Sequence, residues 1–168
     1  MRILGIDPGL NNCGWGIVDL NGSKLNYVAH GVIQPQKKDI SLARRLAQID
    51  HGLMDAILAF KPSEAAVEET FMNTNPASAL KLGQARGVAL LTPARAGLEV
   101  FEYGANHIKK SIVGAGHAGK DQMLMMINTL LPNANVVSAD AADALAVAIT
   151  HAHHAGSNNA YQRAMEQV

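Results

Sequence analysis

The dipeptide Asn21-Gly22 stands between two strand-like apolar runs, a strong local signal of a tight hairpin. It fixes the character of the first forty residues. A run from Arg2 to Ile6 ends at Asp7, a second passes through Trp15-Gly16-Ile17-Val18, and a third covers Leu25 to Val28 with Gly31-Val32-Ile33 continuing the sheet. The period then changes. Leu42, Leu46, Ile49, Leu53, Ile57 and Phe60 recur at spacings of three and four, which predicts a helix that Pro62 stops. Ala65 to Glu68 predicts a fourth strand and Val100 to Glu102 a fifth. Between them a helix is expected over 77–91, with Leu80, Gln84, Val88 and Leu91 on one stripe and Pro93 near its end. Further helices are expected over 105–112, 120–130 and 139–154, with a flexible link at Val113 to Gly116. Hairpin strands first and helix-separated strands later predict an α/β fold, a mixed five-stranded sheet with helices on both faces.

A chain of 168 residues, 48% of them hydrophobic, is long enough for one domain with its own core. We expect a single domain over 1–156 and a polar, flexible tail over 157–168. Cys13 is the sole cysteine, so no internal disulfide is possible, and a reducing compartment fits. The start does not read as a signal peptide, and the apolar run from Met123 to Leu131 is too short to span a bilayer and contains Asn128. A cytoplasmic protein with no membrane association is expected.

Fourteen basic and fourteen acidic residues cancel. Their distribution is uneven. Between Lys81 and Lys120 lie Lys81, Arg86, Arg95, Lys109, Lys110 and Lys120 against only Glu99 and Glu102. Asp7, Glu68, Glu69, Asp140 and Asp143 form three small acidic groups beside apolar runs. Asp7 and Glu68 end predicted strands, where an α/β protein carries its functional edge. Asp140 and Asp143 are three apart on a predicted helix and share a face, with alanines between them that permit close approach to a sheet. Four such acids offer only oxygen ligands, suited to Mg²⁺ or Mn²⁺. Two ions about 4 Å apart would activate water and stabilise a leaving oxygen in phosphodiester hydrolysis.

Each group also has an ordinary reading. Asp7 before Pro8-Gly9 can be turn chemistry, and Asp140 with Asp143 can be a helix cap. Periodicity does not choose between Glu68 and Glu69. Phe71, in a polar loop after Glu68, can stack on a base or anchor the core. Lys109, Lys110 and Lys120 can hold a phosphate backbone or be solvated charges. His151, His153 and His154 lack a ligand pattern for zinc, and Cys13 lacks a general base. Neither a GxGxxG nor a P-loop signature occurs.

The opening Gly5-Ile6-Asp7-Pro8-Gly9 resembles the actin-like and sugar-kinase ATPases, but those need two related halves, and no repeat is visible. A closer resemblance rests on three motifs, Val67-Glu68-Glu69-Thr70-Phe71-Met72, Ser78 to Gly87, and Asp140-Ala141-Ala142-Asp143-Ala144-Leu145-Ala146. With Asp7 and in this order, they resemble the RuvC family of bacterial Holliday-junction resolvases from Arg2 to about His153. The resemblance implies an RNase H-like fold and a homodimer that cuts four-way DNA junctions symmetrically in recombination and repair. It implies catalytic and metal-binding roles for Asp7, Glu68, Asp140 and Asp143, and Mg²⁺, two ions per site, with Mn²⁺ able to substitute. It also implies Phe71 near the junction centre, Lys109 and Lys120 beside the scissile phosphate, and cooperation with RuvA and RuvB. Lys81, Arg86 and Lys110 are further candidate DNA contacts, and the helix over 77–91 is the candidate dimer face. Two other readings are a non-cleaving junction binder and a related nuclease acting on RNA or flaps.

Overall fold

The computed structural model describes residues 1–38, 40–69, 75–114 and 119–165, with side chains to residue 155. Phe71 and the end of the predicted link, Ala115-Gly116, lie outside the described residues. The elements in order are β1 (Arg2–Asp7), β2 (Cys13–Asn21), β3 (Lys24–Ile33), α1 (Leu42–Phe60), β4 (Glu64–Glu69), α2 (Pro76–Arg95), β5 (Glu99–Gly104), α3 (Ala105–Val113), α4 (Lys120–Leu130) and α5 (Ala139–Met165). The sheet order is β3-β2-β1-β4-β5. β1, β2 and β3 pair antiparallel, whereas β4 joins β1 and β5 joins β4 in parallel. This is the mixed five-stranded sheet expected from the sequence.

Three boundaries differ from the sequence reading. β3 is one ten-residue strand rather than two pieces, because a register shift between Ile17 and Val18 keeps it paired along its length. α2 continues four residues past Leu91, through Pro93. A proline in the last turn forfeits a single backbone bond there, and burial of Thr92 and Pro93 compensates. α5 extends past His154 to Met165.

Alternation along the strands sorts the core into two layers. Leu4, Ile6, Ile17, Ala65 and Val67 face α1 and α2, packing on Ile49, Leu53, Ala85 and Ala89. Ile3, Val18 and Ala66 face the other way, onto Ile108, Ile127 and the alanine-rich side of α5. Asp7 and Glu68 continue the second register, so both point to the α5 side. Glu69 falls on the opposite face.

α5 comes unusually close to the sheet. A Cβ added to Gly5 would lie 2.1 Å from the Ala144 carbonyl oxygen, and one on Gly14 would lie 2.0 Å from that of Asp140. Only glycine leaves room for the helix backbone at these points. Alanines at 141, 144 and 148 supply the matching small surface. The start of α5 is thereby pressed against the edge where β1 ends. Among the described residues no helix is long and apolar enough to cross a membrane.

Candidate active site

Three elements bring the acids together. β1 delivers Asp7, and its parallel neighbour β4 delivers Glu68, one step beyond the Ile6–Val67 register pair. α5 delivers Asp140 and Asp143 from its first two turns. Neither aspartate is spent on capping. Ser138 caps the helix instead, its carbonyl accepting from Ala142 N–H at 3.0 Å and its hydroxyl lying 3.5 Å from Ala141 N. Among the described residues no hydrogen bond from the following turn reaches the Asp7 carboxyl, whose strongest charged neighbour is Glu68.

The electrostatics are those of crowded carboxylates. Burial, then the charges of Glu68, Asp143 and Asp140, push Asp7 up to about 8 from an ordinary 3.8. Burial and Asp143 also raise Glu68, while Lys109 opposes the rise. Burial raises Asp143, against the pull of Lys120 and Lys109. The two lysines therefore face the acids across a pocket of about 160 Å³, lined by Glu68, Ala105, Ile108, Lys109, Lys120, Met123 and Asp143. Cys13, buried, is pushed up to about 12 chiefly by burial, which disfavours its thiolate.

The donor set fits a hard divalent cation. It is all oxygen, it crowds carboxyl groups whose charges raise one another, and it opens onto the lysine-lined pocket. Among the described residues no three His, Cys, Asp or Glu groups are already set to hold a metal ion between them, so the acids would have to draw together on one. Open carboxylate sites of this kind suit Mg²⁺, which retains several waters, better than structural zinc.

The other candidates divide. Lys109 and Lys120 line the acid pocket, whereas Lys110, exposed on α3, does not. Arg86 is turned to Glu102, with which it forms an ion pair. Lys81 lies in a second pocket beside Leu10, Asn11 and Arg45. Arg45 escaped the sequence reading because its signal is tertiary: it reaches from α1 to the loop after Asp7, bonding Leu10 O and Asn11 Oδ1 at 2.9 Å each.

The family model described as crossover junction endodeoxyribonuclease RuvC matches residues 3–151. The chain belongs to the RuvC family. A RuvC from Paramagnetospirillum magneticum is 58% identical over 165 residues, covering 98% of this chain and 99% of that relative. One from Methylocella silvestris is 59% identical over 152 residues, covering 90% of this chain and 86% of the relative. Among solved structures, T. thermophilus RuvC in complex with a Holliday junction substrate superposes with a TM-score of 0.85 at 31% identity, covering 94% of this chain and 96% of that one. The yeast mitochondrial resolvase Ydc2, at 16% identity and a TM-score of 0.69, shares the fold. The sheet order and the helices on both faces are thus the RNase H-like architecture of RuvC-family resolvases.

Proposed function

We propose that this protein is a crossover junction endodeoxyribonuclease, which resolves four-way DNA junctions by metal-dependent hydrolysis in recombination and repair. The observation that carries the reading is the four-carboxylate edge faced by two lysines, in a chain matched by the RuvC family model from 3 to 151.

Asp7, Glu68, Asp140 and Asp143 would hold Mg²⁺, two ions per site, with Mn²⁺ as substitute. Bound there, such ions supply a water nucleophile of lowered pKa and charge stabilisation for the leaving 3′ oxygen. Asp7, protonated in the metal-free fold, would have to give up its proton to hold such an ion as a carboxylate. Glu68 and Asp143, flanking the pocket, orient the attack in line with the scissile bond. Lys109 and Lys120 place positive charge beside the phosphate as negative charge develops on it. Lys81, Arg86, Lys110 and Phe71 are the further proposed contacts to DNA.

A two-fold homodimer suits a two-fold junction, since each site then meets an equivalent strand. The outer side of α2 supports that assembly. Leu80 is 66% exposed and Leu91 60%, and Cβ atoms at Gly83 and Gly87 would meet nothing within 4 Å. RuvA and RuvB as partners, and action in the cytoplasm, complete the reading.

The test is cleavage of a labelled synthetic four-way junction, with linear duplex as control, with and without Mg²⁺. Paired symmetric nicks confined to the junction and requiring metal are expected. Tight binding without cleavage in Mg²⁺ or Mn²⁺ would leave only a junction-binding protein, and cutting of RNA or flaps in preference would redirect the substrate class.

A further inference from the structure

On the other side of the Asp7 edge from the lysine-lined pocket, a second pocket of about 370 Å³ opens between Leu10, Asn11, Arg45, Ser78, Lys81 and Leu82. Its walls are tied to the acids by the chain itself. Leu10 and Asn11 lie in the loop that leaves Asp7, and Ser78 and Lys81 lie in the first two turns of α2, the helix that follows β4. Arg45, from α1, holds the loop through Nη2 bonds to Leu10 O and Asn11 Oδ1.

Its chemistry is one-sided. Among the described residues Arg45 and Lys81 are the charged groups that line it, and no acid does. Arg45 Nε is buried with no hydrogen-bond partner among the described residues. Lys81 and Ser78 are exposed. Asn75, not the pocket, satisfies the first amides of α2, at 3.0 Å to Ala77 N and 3.3 Å to Ser78 N. Lys37 and Lys38, on the segment that Gln34 ties to Asn12 at 3.2 Å, and Arg44 in the first turn of α1 are exposed cations, against Asp39 as the one acid between them in sequence. In a chain whose formal charge is zero, this is a local excess that attracts an anion. Among the described residues its polar lining is the Arg45 guanidinium, the Lys81 ammonium, the Ser78 hydroxyl and the Asn11 amide, the donor types that hold a backbone phosphate.

We propose that Arg45, Lys81, Ser78 and Asn11 form a second backbone-phosphate subsite for nucleic acid. The acids would lie between this subsite and Lys109 with Lys120, so that a strand crossing the edge is held on both sides of the scissile phosphate. Arg45 also fixes the loop after Asp7, which couples strand binding to the position of that acid. The inference rests on the resolvase reading and extends it.

The experiment uses the full chain and synthetic four-way junctions in which single phosphates are replaced by methylphosphonates, with Ca²⁺ in place of Mg²⁺ to hold complexes uncut. Neutralising one phosphate away from the cleavage site should weaken binding by the wild type several-fold. That loss should vanish in Lys81→Gln and persist in Lys81→Arg. The salt dependence of binding by Lys81→Gln should also flatten by about one unit of slope, the release of roughly one counterion. The same phosphate sensitivities and slope in wild type and Lys81→Gln would overturn the subsite while leaving the resolvase reading intact. A wild type that neither binds nor cuts junctions would overturn both. Circular dichroism of the exposed-site variants checks that the fold is unchanged.

Discussion

Asp7 at the end of β1 and Glu68 at the end of its parallel neighbour β4 stand close enough that the charge of Glu68 bears directly on the Asp7 carboxyl. Burial first, then the charges of Glu68, Asp143 and Asp140, favour the protonated form of Asp7, pushed up to about 8. The metal-free fold therefore binds a proton that the unfolded chain gives up near 3.8. Stability should be unaffected by this group below pH 4, fall as pH rises toward 8, and level off above. The slope should reach at most ~1.4 kcal/mol per pH unit. Glu68 and Asp143, both raised, act in the same direction. Replacing Asp7 by Asn removes the titration and should raise the metal-free Tm at pH 8, by roughly 4–8 °C for a gain of ~2 kcal/mol. Cleavage should fall steeply, because the exchange removes a charged oxygen ligand from the site that would hold the ions. Thermal scans at pH 5 and pH 8 check the sign: a variant no more stable than wild type at pH 8 would mean that Asp7 is not under strain.

Cation binding should release protons. Mg²⁺ needs the carboxylate form of Asp7, so binding between pH 6 and 7.5 should eject close to one proton, and the release should fade above pH 8. Calorimetry in buffers of different ionisation enthalpy measures that number directly. No release at pH 6.5 would show that the cation does not contact Asp7.

Gly14 gives a structural test of how α5 is placed. An alanine there would put its Cβ 2.0 Å from the Asp140 carbonyl oxygen, against backbone that cannot swing aside. Gly14→Ala should cost about 1–3 kcal/mol, read by urea unfolding, and should lower Mg²⁺ affinity because Asp140 and Asp143 move with the helix. Gly22→Ala is the contrast. Its φ of +63° makes alanine strained, yet nothing lies within 4 Å, so stability should drop by roughly 1 kcal/mol with Mg²⁺ affinity preserved.

Lys109 lowers both Glu68 and Asp143, and Lys120 lowers Asp143. Lys109→Met should let both acids rise, moving the acidic limb of the cleavage–pH profile to higher pH. The rate at the optimum should fall by about 10²-fold, the usual effect of one lost charge-stabilising donor. A lower rate with an unmoved profile would assign Lys109 to DNA binding alone.

The exposed stripe of α2 predicts assembly. Leu80→Lys combined with Leu91→Lys should shift the protein toward monomer by light scattering and convert paired nicks into single ones. Both side chains are largely exposed, so Tm measured at low concentration should change little.

Much of this was legible in the chain. The Asn21-Gly22 turn, the 3.6-residue period from Leu42 to Phe60, and the short runs ending at Asp7 and Glu68 specify elements locally, through turn chemistry and side-chain alternation. The spacing of Asp140 and Asp143 placed them on one helix face for the same reason. What local pattern left open, packing decided. Whether Asp7 belongs to its turn depended on a partner distant in sequence, Glu68; whether Asp140 caps its helix was settled close by, where Ser138 takes the capping position two residues earlier. Glu68 rather than Glu69 joins the site because strand register sets which face meets α5. The glycines at 5 and 14 have no local signature of their use, since it consists in the closeness of a helix more than a hundred residues away. Arg45 likewise reads as one more basic residue on a helix until the fold carries it to the loop after Asp7. Sequence by itself determines the elements and the chemical types present, because those follow from neighbours three or four residues apart. Only the tertiary structure decides which charges share a site, because that depends on which backbones can approach closely enough to bring them together.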